Sequence, residues 1–371
     1  MVKNLKPGII GCLLLFTTCI DPVEFDTSNE PTRLVVQGYI SDVPAKSRES
    51  DGYSTPYFQV KLNLSSPVSN FRDSPVHDAE VRILDDKGNE HELTEFETGA
   101  YYLVDQDFKA EGDRNYFVRI STADGEIYES QPQKLQASLP AGPAKYQTDS
   151  RLTVADIGGQ SEVVTLEGIT VSVDLPTHNS RETVYYLWEL VPTWIYVAPL
   201  VPEGDPNSTC WVTNIYYLDD VVIHEDKLGQ GNYPKELFFL EAKTNTRLEH
   251  DFSVLIKQFS LNKETFEFWE DIKKQNESVG SIFDPPPFSI RGNLFNVNDP
   301  DDRVLGYFSV MGESTQRWFT SIWELPYDLP DVDPCNPPPG APSLPTPDCR
   351  DCLKYRGGSS SITNVEPNWW R

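Results

Sequence analysis

The chain of 371 residues carries six cysteines and five histidines, and these are the side chains whose spacing could do chemistry. His77, His91, His178, His224 and His250 are scattered, with no H-E-x-x-H pair to set two imidazoles on one helix face for zinc. A G-x-S-x-G nucleophile elbow is missing, as is a P-loop. Gly357-Gly358-Ser359-Ser360-Ser361 reads as a flexible turn rather than a phosphate cradle. Carboxylates are so plentiful that a pair at glycosidase spacing would arise by chance. Asp299, Asp301 and Asp302, with Asn296 and Asn298, form an acidic loop of hard oxygen donors, a weak calcium candidate whose spacing fits no EF-hand. The expectation is therefore a protein with no catalytic centre and no cofactor, and a non-enzymatic role.

Cys19 has a chemistry of its own. It closes the stretch LLLFTTCIDP, behind a basic start (Lys3, Lys6) and an apolar run from Ile9 to Phe16. That run is too short to span a membrane, which takes about 20 residues, but it suits a secretory signal. Phe16, Thr17, Thr18 and then cysteine outline a bacterial lipoprotein box, in which the thiol is acylated and becomes the new N-terminus. Residues 1–18 are read as the signal, with Cys12 discarded, and 19–33 as a tether carrying Asp21, Glu24 and Asp26.

Four cysteines then remain, Cys210, Cys335, Cys349 and Cys352, an even number that favours two disulfides in an exported chain. Three connectivities are open. Cys349–Cys352 would close a very small loop, and Cys210–Cys335 would staple the proline-rich tail onto the body of the protein. Four thiolates with a single C-x-x-C pair lack the second knuckle of a typical structural zinc site. A redox C-x-x-C belongs at the start of a helix, not in a Pro/Gly-rich tail. The tail, 331–371, ends in Trp369-Trp370, and is expected to fold back with Cys210 bonded to one of its three cysteines.

The formal net charge of −26 becomes −28 once Lys3 and Lys6 leave with the signal, and such acidity disfavours nucleic acid and anionic lipid surfaces. Thirty prolines, 22 glycines and a rich aromatic supply point to short strands around a sizeable core. LVVQGYIS (34–41), the alternating FQVKLNLS (58–65), and hairpin turns at 85–89 and 123–125 predict a mainly β chain. Its first part is an immunoglobulin-like or transthyretin-like sandwich over 34–137. The order of its elements resembles the regulatory β-domains attached to carboxypeptidases and outer-membrane receptors. A linker is read at 138–150 and a second β-rich domain at 151–330, with strands at 164–175, 183–191 and 247–260. One prominent helix follows Asn262, its N-cap, with Phe266, Trp269 and Ile272 as a core-facing stripe. Trp194, Ile195, Tyr196 and Leu200 crowd a segment whose prolines argue against a regular central strand, making it a candidate contact for a partner protein.

Several stretches together carry a wider likeness: Cys19-Ile20-Asp21-Pro22, the strand from Leu34 to Ile40, Phe268-Trp269, and Ile282-Phe283-Asp284-Pro285-Pro286. Gly292-Asn293, Leu305-Gly306-Tyr307-Phe308, Cys349-x-x-Cys352, Pro367 and Trp369 complete it. The whole chain resembles an uncharacterised family of Bacteroidota outer-membrane lipoproteins, a domain-of-unknown-function family often encoded beside TonB-dependent receptors. The resemblance implies an outer-membrane, lipid-anchored location facing the cell exterior, with Asp21, Glu24 and Asp26 as a surface-export signal. It also implies a β-barrel partner of the TonB-dependent receptor type, and no known activity. The alternative expectation is a glycan- or nutrient-binding surface lipoprotein, whose aromatics would serve as stacking platforms.

Overall fold

The computed structural model describes residues 32–50, 57–66, 74–179, 181–231, 233–242, 245–277, 289–328, 335, 346–357 and 361–370. The signal, Cys19, Asp21, Glu24 and Asp26 of the tether, and the 282–286 stretch lie outside the described residues. The fold is mainly β, as the strand-and-turn pattern predicts, with one long helix and two disulfides near the C-terminus.

Alternation of apolar side chains builds the first unit. Val36 and Ile40, Val60 and Leu62, Val81 and Ile83, and Val118 and Ile120 all face one core and are fully enclosed. The turn at 85–89 is braced from within: the buried Asp85 carboxylate accepts from the backbone N–H groups of Lys87 and Asn89, both at 2.9 Å, and from the Asn89 amide. Gly88 takes the positive φ (84°) that this turn needs.

Chain order and spatial order then part company. The long strand Leu305–Thr320 pairs over its first half with Leu34–Ser41 (Val35 opposite Leu305, Ile40 opposite Val310), the one parallel pairing among the described strands. Its second half pairs antiparallel with Phe252–Leu261. Phe308 and Val310 thereby enter the first core, together with Leu294 from a short strand beside Ile127–Ser130. The units expected at 34–137 and 151–330 thus share a continuous hydrogen-bonded sheet, through residues about 270 positions apart in sequence. Gly306 (φ 89°) makes the junction close, since a Cβ there would collide with the Val36 carbonyl oxygen. Residues 145–150, read as linker, begin a strand.

The second unit centres on Val184–Val197, whose residues from Tyr185 to Trp194 pair with Phe252–Leu261. It has Val222–Asp226 and then Thr209–Thr213 on its other side. Pro192 lies inside this strand, against the expectation that prolines would interrupt it. The second side has no ladder partner over 189–192, so the missing N–H is tolerated there. Helix α2, Lys263–Glu277, starts as predicted, with Asn262 Oδ1 accepting from Thr265 N–H at 2.8 Å. Phe266 and Trp269 pack on Leu187, Phe259 and Met311 of the shared sheet.

A second helix, α1 (Ala45–Ser50), is short and held by charge. Arg48 is buried and paired with buried Glu313, and its guanidinium donates to Ser41 Oγ at 2.9 Å. It lies 4.1 Å from the Phe58 ring centroid. Removing either charge alone would strand the other in a dry site.

Candidate functional site

Several exposed apolar side chains sit together on a feature the sequence reading split between linker and domain. Strands Lys145–Ile157 and Gln160–Asp174 pair over 13 positions and turn at Gly158-Gly159, both at positive φ (64° and 84°), the two-residue hairpin glycine serves best. Only Gly168–Asp174 is backed by a third strand, Pro234–Glu241. From Arg151 to Leu166 the hairpin is a two-stranded ribbon, reaching roughly 20 Å beyond the sheet.

Leu152 lies opposite Thr165 and Val154 opposite Val163, which sets the three apolar side chains on one face. They are 75 %, 66 % and 70 % exposed, and Ile157 at the tip is exposed as well. A free two-stranded ribbon is marginal in water, and neighbouring bare apolar side chains usually mark a surface that another molecule covers. The outer strand, Lys145–Ile157, also has no neighbouring strand along its outer edge among the described residues.

The segment expected to contact a partner is placed differently. Trp194 is 1 % exposed, stacked near Phe252 and touched by Tyr355 of the tail. Tyr196 meets Tyr355 at 4.5 Å between centroids, and its hydroxyl donates to Asp348 at 3.1 Å. Ile195 is half-buried, and of the four only Leu200 is exposed, its N–H bonded to the Cys349 carbonyl. The expected contact is therefore occupied from within: the chain's own tail covers it.

That cover is covalent. Cys210 bonds Cys352 and Cys335 bonds Cys349, so Cys210 joins a tail cysteine as expected, in the connectivity that pairs neither Cys349 with Cys352 nor Cys210 with Cys335. With all four thiols consumed, thiolate zinc has no ligands. Past the staple, Ser361–Thr363 adds a strand beside Thr209–Thr213. Trp370 packs on Trp211 and Phe319, and Arg317 sits 3.5 Å over the Trp369 ring.

The acidic loop uses its carboxylates on itself. Asp302 accepts from the Asn296 amide at 2.9 Å, and Asp299 accepts from the Asp301 N–H at 3.0 Å. Among the described residues, no three His, Cys, Asp or Glu side chains converge to hold a metal. Like Arg48 and Glu313, a second buried pair has no local signal in the sequence, His178 Nε2 at 3.1 Å from Asp226 Oδ2. Burial opposes the Asp226 charge, yet the Leu228 and Gly229 N–H groups and His178 hold its carboxyl below the usual range. Burial lowers His224, which meets the Tyr233 hydroxyl at 2.8 Å. These groups brace the turn after Val222–Asp226, where His178 N–H also donates to the Gly229 carbonyl.

A family model described as a domain of unknown function, DUF4249, matches residues 20–317. The chain belongs to the DUF4249 family. Neither a curated protein nor a solved structure matches it. The DUF4249 match takes in both β units, α2, the ribbon and most of the shared strand, while the stapled tail lies beyond it.

Proposed function

We propose that this DUF4249 protein is a non-enzymatic outer-membrane lipoprotein of Bacteroidota type, anchored through acylated Cys19 and facing the cell exterior. There it acts as an accessory subunit of a β-barrel of the TonB-dependent receptor class. The observation that carries the reading is the ribbon: Leu152, Val154 and Val163 stand bare on one face of an arm that has no role in the chain's own core. The lipoprotein box, the acidic tether and a pair of disulfides that require an oxidising compartment support the cellular setting.

Extraction of native membranes with mild detergent tests it. The chain should copurify with a barrel protein, and recovery of this chain alone would contradict the assignment. The anchor is tested separately, because acyl chains contribute about 0.8 kcal/mol per buried methylene. Cys19→Ala should release the protein or leave its signal uncleaved, and membrane retention of a processed mutant would remove the basis for the anchor.

A further inference from the structure

A groove of about 630 Å³ runs over the face of the shared sheet, between α1 and α2. Its floor draws on five adjacent strands, from Gln59–Leu64 to Val184–Val197, and so exists only because Leu305–Thr320 joins the two units. The volume falls in the range of small-molecule sites.

The lining combines three chemistries. Tyr39, Tyr57, Phe268 and Trp269 are half-buried and line the groove. Phe259 and Tyr307 lie beneath them, Tyr307 at 4.6 Å from Phe268 and Phe259 at 5.4 Å from Tyr39. Gln37, Gln59, Ser309 and the half-exposed Glu189 carboxylate add hydrogen-bonding groups suited to hydroxyls. The charges are the third element. Lys257 is paired with Glu189 at 3.1 Å and Arg48 with Glu313, whereas Lys61 makes no ion pair among the described residues. On a chain of net charge −26, the groove lining holds three cations, Arg48, Lys61 and Lys257, and one carboxylate, Glu189; with buried Glu313 counted against Arg48, Lys61 is the cation in excess.

We infer that the groove binds a short acidic saccharide, its ring faces against the aromatic side chains and its carboxylate at Lys61. An apolar molecule would leave the amide, hydroxyl and carboxylate groups unanswered. A neutral sugar would make no use of Lys61, the exposed lining cation that has no ion pair among the described residues, and an anion without a ring would not use the aromatics. Only a molecule with an apolar ring face, hydroxyls and one negative charge answers all three. The inference goes beyond the docking role and does not depend on it, since the ribbon and the groove share no residue.

Calorimetric titration of the purified full chain tests it, with a disaccharide of glucuronate and N-acetylglucosamine as probe and its carboxyl-reduced neutral form as control. The acid should bind about tenfold or more tightly than the neutral form. Lys61→Met, an exposed change that leaves the core alone, should abolish that preference while leaving circular dichroism unchanged. Trp269→Phe should weaken both sugars. No heat with either sugar, equal affinity for the two, or an unchanged preference in the Lys61→Met protein would each overturn the inference.

Discussion

Two apolar stretches of this protein have exchanged the roles their composition suggests. The segment from Pro192 to Leu200 is dense in Trp, Ile, Tyr and Val, and it ends up covered by the chain's own tail. The stretch from Ser150 to Leu166 is half polar, with Asp, Glu, Thr and Gln throughout, yet Leu152, Val154, Ile157 and Val163 stand exposed on it. Whether an apolar side chain is available to a partner depends on what else reaches it. For Trp194 that is Tyr355, about 160 residues further on. For Val154 it is only the cross-strand neighbour Val163.

Breaking the staple should have the largest effect. The Cys210–Cys352 link spans 142 residues and should stabilise by about 5 kcal/mol on the chain-entropy model, against about 3 kcal/mol for Cys335–Cys349, which spans 14. The double change Cys210→Ser with Cys352→Ser should therefore lower the denaturation midpoint more than Cys335→Ser with Cys349→Ser. It should also increase dye binding at the uncovered Trp194 sheet. Equal midpoints would mean that packing rather than the long link holds the tail.

Trp194→Ala comes next, at about 3–5 kcal/mol, because it opens a cavity beneath the tail. Chemical denaturation measures it, and a loss under about 1 kcal/mol would mean that the segment is not core after all.

The turn at 85–89 offers a smaller, pH-dependent contrast, being a hairpin end that satisfies itself. Burial works against the Asp85 charge, but the Asn89 side chain, the Asn89 and Lys87 N–H groups and Arg114 hold its carboxyl down at about 2. A folded pKa below the unfolded one means stability that is present above about pH 4 and lost as pH falls through about 2. Asp85→Asn should thus be less stable than the parent at neutral pH, with the difference shrinking below pH 4. A difference independent of pH would assign the effect to lost hydrogen bonds alone.

The ribbon should give the smallest change in stability. Replacing Leu152, Val154 and Val163 with serine should shift the midpoint by about 0.5 kcal/mol per site or less, as for exposed sites generally. A large loss would show that the face is packed within the chain.

The sequence makes much of the local architecture legible, because local signals specify it. Leu34–Ser41 announces itself by β-branched residues, α2 by the Asn262 cap and its aromatic stripe, and the 85–89 turn by Asp, Asn and Gly. The junction was hidden because the pairing of Val36 with Gly306 leaves no local trace in either stretch. Arg48 and Glu313 were unreadable for the same reason, each an ordinary surface-type residue until the fold buries the pair. The ribbon is not legible locally because alternation over 145–157 is weak, and Pro140, Gly142 and Pro143 just before it make 138–150 look like a linker.

Site-specific photocrosslinking in cells compares the two stretches directly. A photoreactive residue at position 154 should crosslink to an outer-membrane barrel protein, while one at position 196 should crosslink only within the chain, to the tail. Crosslinks to a partner from 196 and none from 154 would contradict the assignment of the ribbon as the docking surface.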